Sequence, residues 1–247
     1  MGSGISFSQG PEGVAGSLGD LTVSATAIVS LAAALVYWGR FAASEVKGIV
    51  GATLKTASTG LLAALLLMVP GGAWFWLIPL GLALGALGDL CLALPGKRVF
   101  LAGVAAFGLG HLAYAGGFLI RSTEIGFDGI GMVEAVVLAG LLGLLASTEV
   151  WLAPRTGALR GPVRGYVALI GVMGLAAVVL PAHRGQGLLR LGAALFIASD
   201  LMLALQLFVV RDAGQRRSLG LALWPAYWIA QALIAWGAVV FWRAGPG

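Results

Sequence analysis

Charge is scarce in this chain. Asp, Glu, Lys and Arg make up 10% of its 247 residues, against 60% hydrophobic. A soluble domain carries about a quarter charged residues, so the scarcity excludes an ordinary soluble fold and points to a polytopic membrane protein. Cysteine is almost missing. The single Cys91 excludes an intrachain disulfide and a cysteine-based metal cluster. The two histidines, His111 and His183, are too few for a three-histidine zinc site. The opening stretch "MGSGISFSQGPEGVAGSLGD" lacks a basic start and reads as a flexible tail over residues 1–20 rather than a signal peptide. The net charge of +5 carries no nucleic-acid signal, because in a membrane protein basic residues mark the loops on one side of the bilayer. Glycine is abundant. Its 39 residues are small enough to let helices approach closely.

A membrane span needs about 20 mostly apolar residues. Eight such segments follow, at 22–39, 49–69, 74–94, 99–120, 130–152, 163–181, 187–210 and 219–242. Most of the breaks between them are Pro, Gly or charge clusters, such as "PGKR" at 95–98 and "PRTGALRGP" at 154–162. The expected fold is therefore an all-α bundle of eight transmembrane helices, one domain over 21–243. Ten basic residues fall in the odd-numbered loops: Arg40, Lys47, Lys97, Arg98, Arg155, Arg160, Arg164, Arg211, Arg216 and Arg217. Four fall on the other side (Arg121, Arg184, Arg190, Arg243), and Lys55 lies inside a span. By the positive-inside rule the odd loops are cytoplasmic and both termini are outside.

Two stretches resemble each other: "LGLALGALGDLCLAL" at 80–94 and "LGAALFIASDLMLAL" at 191–205. At an offset of 111 they align Gly81 with Gly192 and Asp89 with Asp200. The offset takes span three to span seven, which suggests a 4+4 duplication with parallel halves. Chance similarity between two Leu/Ala-rich helices is the alternative. Charge inside a membrane is expensive and usually faces the bundle interior. At 1.5 Å per residue, Lys55, Asp89 and Asp200 lie about 9, 7 and 15 Å from the cytoplasmic ends of their helices. Tyr166, Tyr227, Gln231 and His111 lie about 4, 12, 18 and 18 Å in from the same side. Such depths describe a pocket in the cytoplasmic half of the membrane. Each residue also has a plainer account. Lys55 can snorkel to the surface, His111 can be a packing histidine, the tyrosines can be interfacial, and Ser199 can be a small packing residue. The two aspartates are hardest to explain away.

Taken in order, several pieces carry a family resemblance: the lysine of "TLKTAST", "GDLCLALP" at 88–95, "FLAGVAAFGLGHLAY" at 100–114, "GYVALIGVMG" at 165–174, "GAALFIASDLMLAL" at 192–205 and "YWIAQALI" at 227–234. Together they resemble the lysoplasmalogenases, the YhhN-like integral membrane proteins. Thr56 departs from the pattern, since the family usually has proline after the lysine. The resemblance implies an eight-span bundle; the expected location is the inner membrane of a bacterium. It also implies hydrolysis of the vinyl-ether bond of a lysophospholipid, giving a fatty aldehyde and glycerophosphoethanolamine or glycerophosphocholine.

The residues suit that chemistry. A vinyl ether hydrolyses when an acid protonates its β-carbon and water captures the oxocarbenium ion. The reaction needs one proton donor and one anion. Two carboxyls in an apolar bundle supply both, as the paired acids of glycosidases do. Asp89 and Asp200 are the expected catalytic pair, in unassigned order. Lys55, His111, Tyr114, Tyr166, Ser199, Tyr227 and Gln231 are the expected substrate-binding residues. Neither a cofactor nor a metal is called for; a metal hydrolase is the rival mechanism, and its site here would have to be carboxylate-rich. A Ser-His-Asp mechanism is disfavoured because Ser199 and Asp200 are adjacent and point to different helix faces. The rival from another class is a transporter or lipid-binding protein with a proton-coupled carboxylate site.

Overall fold

A computed structural model describes residues 11–44 and 48–243; Lys47, one of the ten basic loop residues, lies outside them, as does the first half of the expected tail. The described residues form eight long helices: α1 (Pro11–Arg40), α2 (Gly48–Leu67), α3 (Ala73–Ala93), α4 (Lys97–Ile125), α5 (Met132–Trp151), α6 (Arg160–Val178), α7 (Gln186–Ala204) and α8 (Ala213–Arg243). There is no strand among the described residues. All eight are long and apolar enough to cross a membrane. Proline at the first position suits the start of α1, and the helix takes in residues 11–20, expected to be tail.

Apolar side chains fill the core and also cover much of the outer surface. Asp89, His111, Gln231, Ser58 and Thr59 are fully buried, while Leu21, Ile28, Ile49, Val133 and Trp236 are exposed. Lipid is the solvent that allows this, because polar groups inside a bilayer must find partners within the bundle. The closest pairs are α3 with α4 and α7 with α8, and α6 packs against α4. α5 leans mainly on α6, and most of its length is exposed. Alternate loops fall at one end of the bundle, here the basic end.

Two boundaries differ from expectation for clear reasons. Arg121 was expected in a loop, yet it lies inside α4, buried over the rings of Trp74 (5.4 Å) and Phe241 (5.6 Å). The helix ends instead at Gly126, whose φ of +108° suits glycine. α8 begins at Ala213 rather than 219, because Asp212 Oδ1 accepts the N–H of Gln215 at 2.8 Å and caps it. Pro225 inside α8 leaves the carbonyl of Leu221 without its helical donor. The indole N–H of Trp38 on α1 donates to that carbonyl at 2.9 Å.

Candidate active site

Helical spacing puts the polar side chains on shared faces. Lys55 and Thr59 are four apart on α2, as are Tyr227 and Gln231 on α8, and Phe107, His111 and Tyr114 occupy one face of α4. Their helices close around two carboxylates, and each carboxylate has its own set of partners.

Asp89 is the better enclosed. Lys55 Nζ lies 2.9 Å from its Oδ1. Its Oδ2 accepts from Tyr227 Oη at 2.8 Å and from Thr59 Oγ1 at 3.2 Å. The network continues outward: Gln231 Nε2 donates to Tyr227 Oη at 3.2 Å, and Tyr114 Oη donates to Gln231 Oε1 at 2.6 Å. The Lys55 ammonium also lies 5.8 Å from the Trp224 ring and 6.0 Å from the Tyr227 ring. Lys55 therefore does not snorkel away; its side chain is 12% exposed and its charge is committed inward.

Asp200 has different partners. Its Oδ2 lies 2.9 Å from His111 Nε2, and its Oδ1 accepts from Tyr166 Oη at 3.2 Å. The second nitrogen of His111, Nδ1, is buried and has no hydrogen-bond partner among the described residues. The two carboxylates share no hydrogen bond. Phe196, four residues before Asp200, lies between the two partner sets: its ring packs against His111 (4.6 Å between centroids) and against Tyr227 (5.4 Å).

The two partner sets repeat each other. Asp89 on α3 is met by Lys55 from α2, and Asp200 on α7 by Tyr166 from α6. Both pairs of positions are separated by the same offset of 111 residues. Each carboxylate then takes its other main partner from the last helix of the opposite half: Tyr227 of α8 for Asp89, and His111 of α4 for Asp200. The aligned glycines behave alike as well. A Cβ on Gly81 would sit 2.4 Å from the Tyr114 ring of α4, and one on Gly192 would sit 2.7 Å from Ile234 of α8.

Two cavities reach this region. A polar one of about 270 Å³ opens at the basic end, with Lys55, Gln206, Arg216 and Arg217 in its lining. An apolar groove between α4, α5, α6 and α7 is lined by Phe107, Leu145, Trp151 and Ile170, with Thr148, Tyr166 and Asp200 as its polar members. Leu92, Phe100, Leu203 and Leu207 line both. Asp200 thus borders an apolar channel, and Asp89 is tied to the lysine of a polar one.

Of the expected residues, Lys55, Tyr114, Tyr227 and Gln231 gather at Asp89, and His111 and Tyr166 at Asp200. Ser199 joins neither; its hydroxyl donates to the carbonyl of Phe196 at 2.7 Å, on another face of α7. His183 packs against Phe241, apart from both carboxylates. Glu149 pairs with Arg164, and Glu134 with Arg190 at 3.0 Å. Sequence reasoning missed Thr59, although its four-residue spacing from Lys55 was a usable signal. It also missed the glycine face of α3. A Cβ on Gly85 would lie 2.8 Å from Gln231 Nε2, and one on Gly88 would lie 2.5 Å from the Phe107 ring.

A model of the YhhN family matches residues 50–238, a stretch that holds both carboxylates and all their partners. The chain is 34% identical over 166 residues to a Bos taurus protein named lysoplasmalogenase TMEM86A, covering 64% of this chain and 63% of that one. It is 32% identical over 170 residues to a Mycobacterium bovis lysoplasmalogenase, covering 66% and 59%. It is 29% identical over 172 residues to lysoplasmalogenase TMEM86B of Rattus norvegicus, covering 70% and 65%. The aligned part thus spans less than two thirds of the length of these relatives. No solved structure matches the chain.

Proposed function

This chain belongs to the YhhN family, and on that premise we propose that it hydrolyses the vinyl-ether bond of lysoplasmalogens. Asp200 is the general acid and Asp89 its anionic partner. One observation carries the assignment: Asp200 borders the apolar groove, whereas Asp89 is paired with the lysine of the polar cavity. A lysoplasmalogen laid across the wall common to both would put its hydrocarbon chain in the groove and its glycerol headgroup in the cavity. The carbon that must be protonated is the chain-side carbon of the double bond, next to Asp200.

The steps balance as follows. The Asp200–His111 pair gives a proton to the β-carbon, and the double-bond electrons form the new C–H bond. Positive charge then spreads over the α-carbon and the ether oxygen. Water from the polar cavity adds to the α-carbon and releases its proton toward Asp89. The hemiacetal then collapses: its hydroxyl proton returns to the Asp200–His111 pair, the C–O bond breaks, and Asp89 passes its proton to the departing glycerol oxygen, giving a fatty aldehyde and a glycerophosphoethanolamine or glycerophosphocholine with both aspartates restored. Tyr227 and Thr59 hold Asp89 in place, and Tyr166 does the same for Asp200. The basic end faces the cytoplasm, which puts the site in the cytoplasmic half of a bacterial inner membrane.

The test uses purified protein in detergent with an alkenyl lysophospholipid in deuterated water. The expected result is equimolar aldehyde and glycerophosphodiester, with one deuterium on the aldehyde carbon beside the carbonyl. Intact lipid after long incubation would defeat the proposal and leave transport or lipid binding. Aldehyde without deuterium at that carbon would defeat the protonation step.

A further inference from the structure

The polar cavity is larger than the reaction's water requires. One water needs about 10–15 Å³ of free space, against about 270 Å³ in the cavity. Its charged lining residues are all basic: Lys55, Arg216 and Arg217. Lys55 already has its carboxylate. Neither arginine takes part in an ion pair among the described residues. The Nε of Arg216 is buried and has no acceptor among the described residues.

Charge sidedness alone explains an exposed arginine in this loop, and Arg211 is one. It does not explain a guanidinium N–H withdrawn from water with nothing to bond. Such a group is a vacant donor for an anion, and a guanidinium's forked N–H groups match phosphate oxygens. The arginine is also held in place. Gln206, in the π-helical turn Leu205–Val209 that follows α7, lines the cavity and donates Nε2 to the Arg216 carbonyl at 2.9 Å. This bond ties the first turn of α8 to the end of α7. The position suits a lysophospholipid. Its phosphorus lies five covalent bonds from the ether oxygen, and the cavity adjoins the groove that borders Asp200.

We propose that Arg216, assisted by Arg217, binds the phosphate of the lysophospholipid headgroup and makes the protein select phospholipids over neutral alkenylglycerols. The proposal rests on the lysoplasmalogen reading for its ligand class. A saturated ether lipid has no vinyl ether to hydrolyse, so its binding is measured independently of catalysis. The experiment compares equilibrium binding of radiolabelled 1-O-hexadecyl lysophosphatidylethanolamine and 1-O-hexadecylglycerol to the full chain in nanodiscs. Wild type should prefer the phospholipid at least tenfold. Arg216→Gln should reduce that preference to under threefold with alkylglycerol binding unchanged, and Arg217→Gln should reduce it partly. Glycerophosphoethanolamine should displace the bound phospholipid better than inorganic phosphate does.

An Arg216→Gln variant that keeps the preference, or weakens both lipids equally, overturns the proposal. So does displacement by inorganic phosphate alone, which would mark a site for the free anion. Should Arg216→Gln not fold, Arg216→Lys carries the test, since it keeps the charge and loses the fork; an unchanged preference overturns the proposal. A wild type that prefers the phospholipid but cleaves no alkenyl lipid would sink the catalytic reading and leave this one standing. In turnover of the alkenyl substrate, Arg216→Gln should raise KM at least fivefold and leave kcat within twofold.

Discussion

Asp89 and Asp200 carry the same side chain in two surroundings, and the difference is in their donors. Asp89 faces an ammonium and two hydroxyls, whereas Asp200 faces an imidazole and one hydroxyl. General acid–base catalysis contributes about 100- to 10,000-fold, so Asp200→Asn and Asp89→Asn should each lower kcat by at least about 100-fold. Groups that act as a unit do not lose activity additively. The double variant should therefore be little worse than either single one, measured as turnover per folded molecule. Tyr227→Phe should be milder. It removes one donor to Asp89 and leaves Gln231 Nε2 without its acceptor. An unsatisfied buried group costs about 1–3 kcal/mol. A lower thermal midpoint in detergent, together with an activity loss smaller than that of Asp89→Asn, is the expected outcome.

At the scale of elements, the site depends on how closely α3 lets its neighbours come. Gly81, Gly85 and Gly88 lie on one face and meet Tyr114, Gln231 and Phe107 respectively. Gly85→Ala would press a methyl against the amide that links Tyr114 to Tyr227. Overpacking of this kind costs about 1–3 kcal/mol, and here it also displaces a partner of Asp89's network. Gly60→Ala is the control, because its Cβ would sit at an ordinary 3.7 Å from Ala86. Gly85→Ala should lower both thermal midpoint and turnover, and Gly60→Ala should leave both near wild type. Loss of equal size in the two variants would show that the glycine face has no special bearing on the site.

For the molecule as a whole, the prediction concerns sidedness. The segregation of ten basic residues from four predicts that the basic end faces the cytoplasm. In a Cys91→Ala background, Ser218→Cys near the polar cavity and Thr123→Cys at the far end of α4 should react with an impermeant thiol reagent from opposite sides. Only Thr123→Cys should label in intact cells. Labelling of both positions from outside would remove the cytoplasmic placement of the site. The duplicated pattern also operates at this scale. The opposite half completes each carboxylate's surroundings with a side chain from its last helix, so neither half holds a whole site alone.

The sequence by itself determined that the chain is a membrane bundle of eight helices and that seven polar side chains within it are unusual. The reason is that apolar length and basic-residue sidedness are local properties, readable along one dimension. It also determined the offset of 111 that relates Asp89 to Asp200, because two aligned stretches carry their register with them. Only the tertiary structure decided who meets whom. Depth along a helix gives no rotation about its axis, so it could not tell that Asp89 takes Lys55 and Asp200 takes His111, or that the two share no hydrogen bond. Nor could it show that Ser199 turns to its own helix backbone. Arg121 and Arg216 were both counted as loop charges. One is buried under aromatic rings and the other lines a cavity, because burial depends on what neighbouring helices bring and not on the residue's own neighbours in the chain.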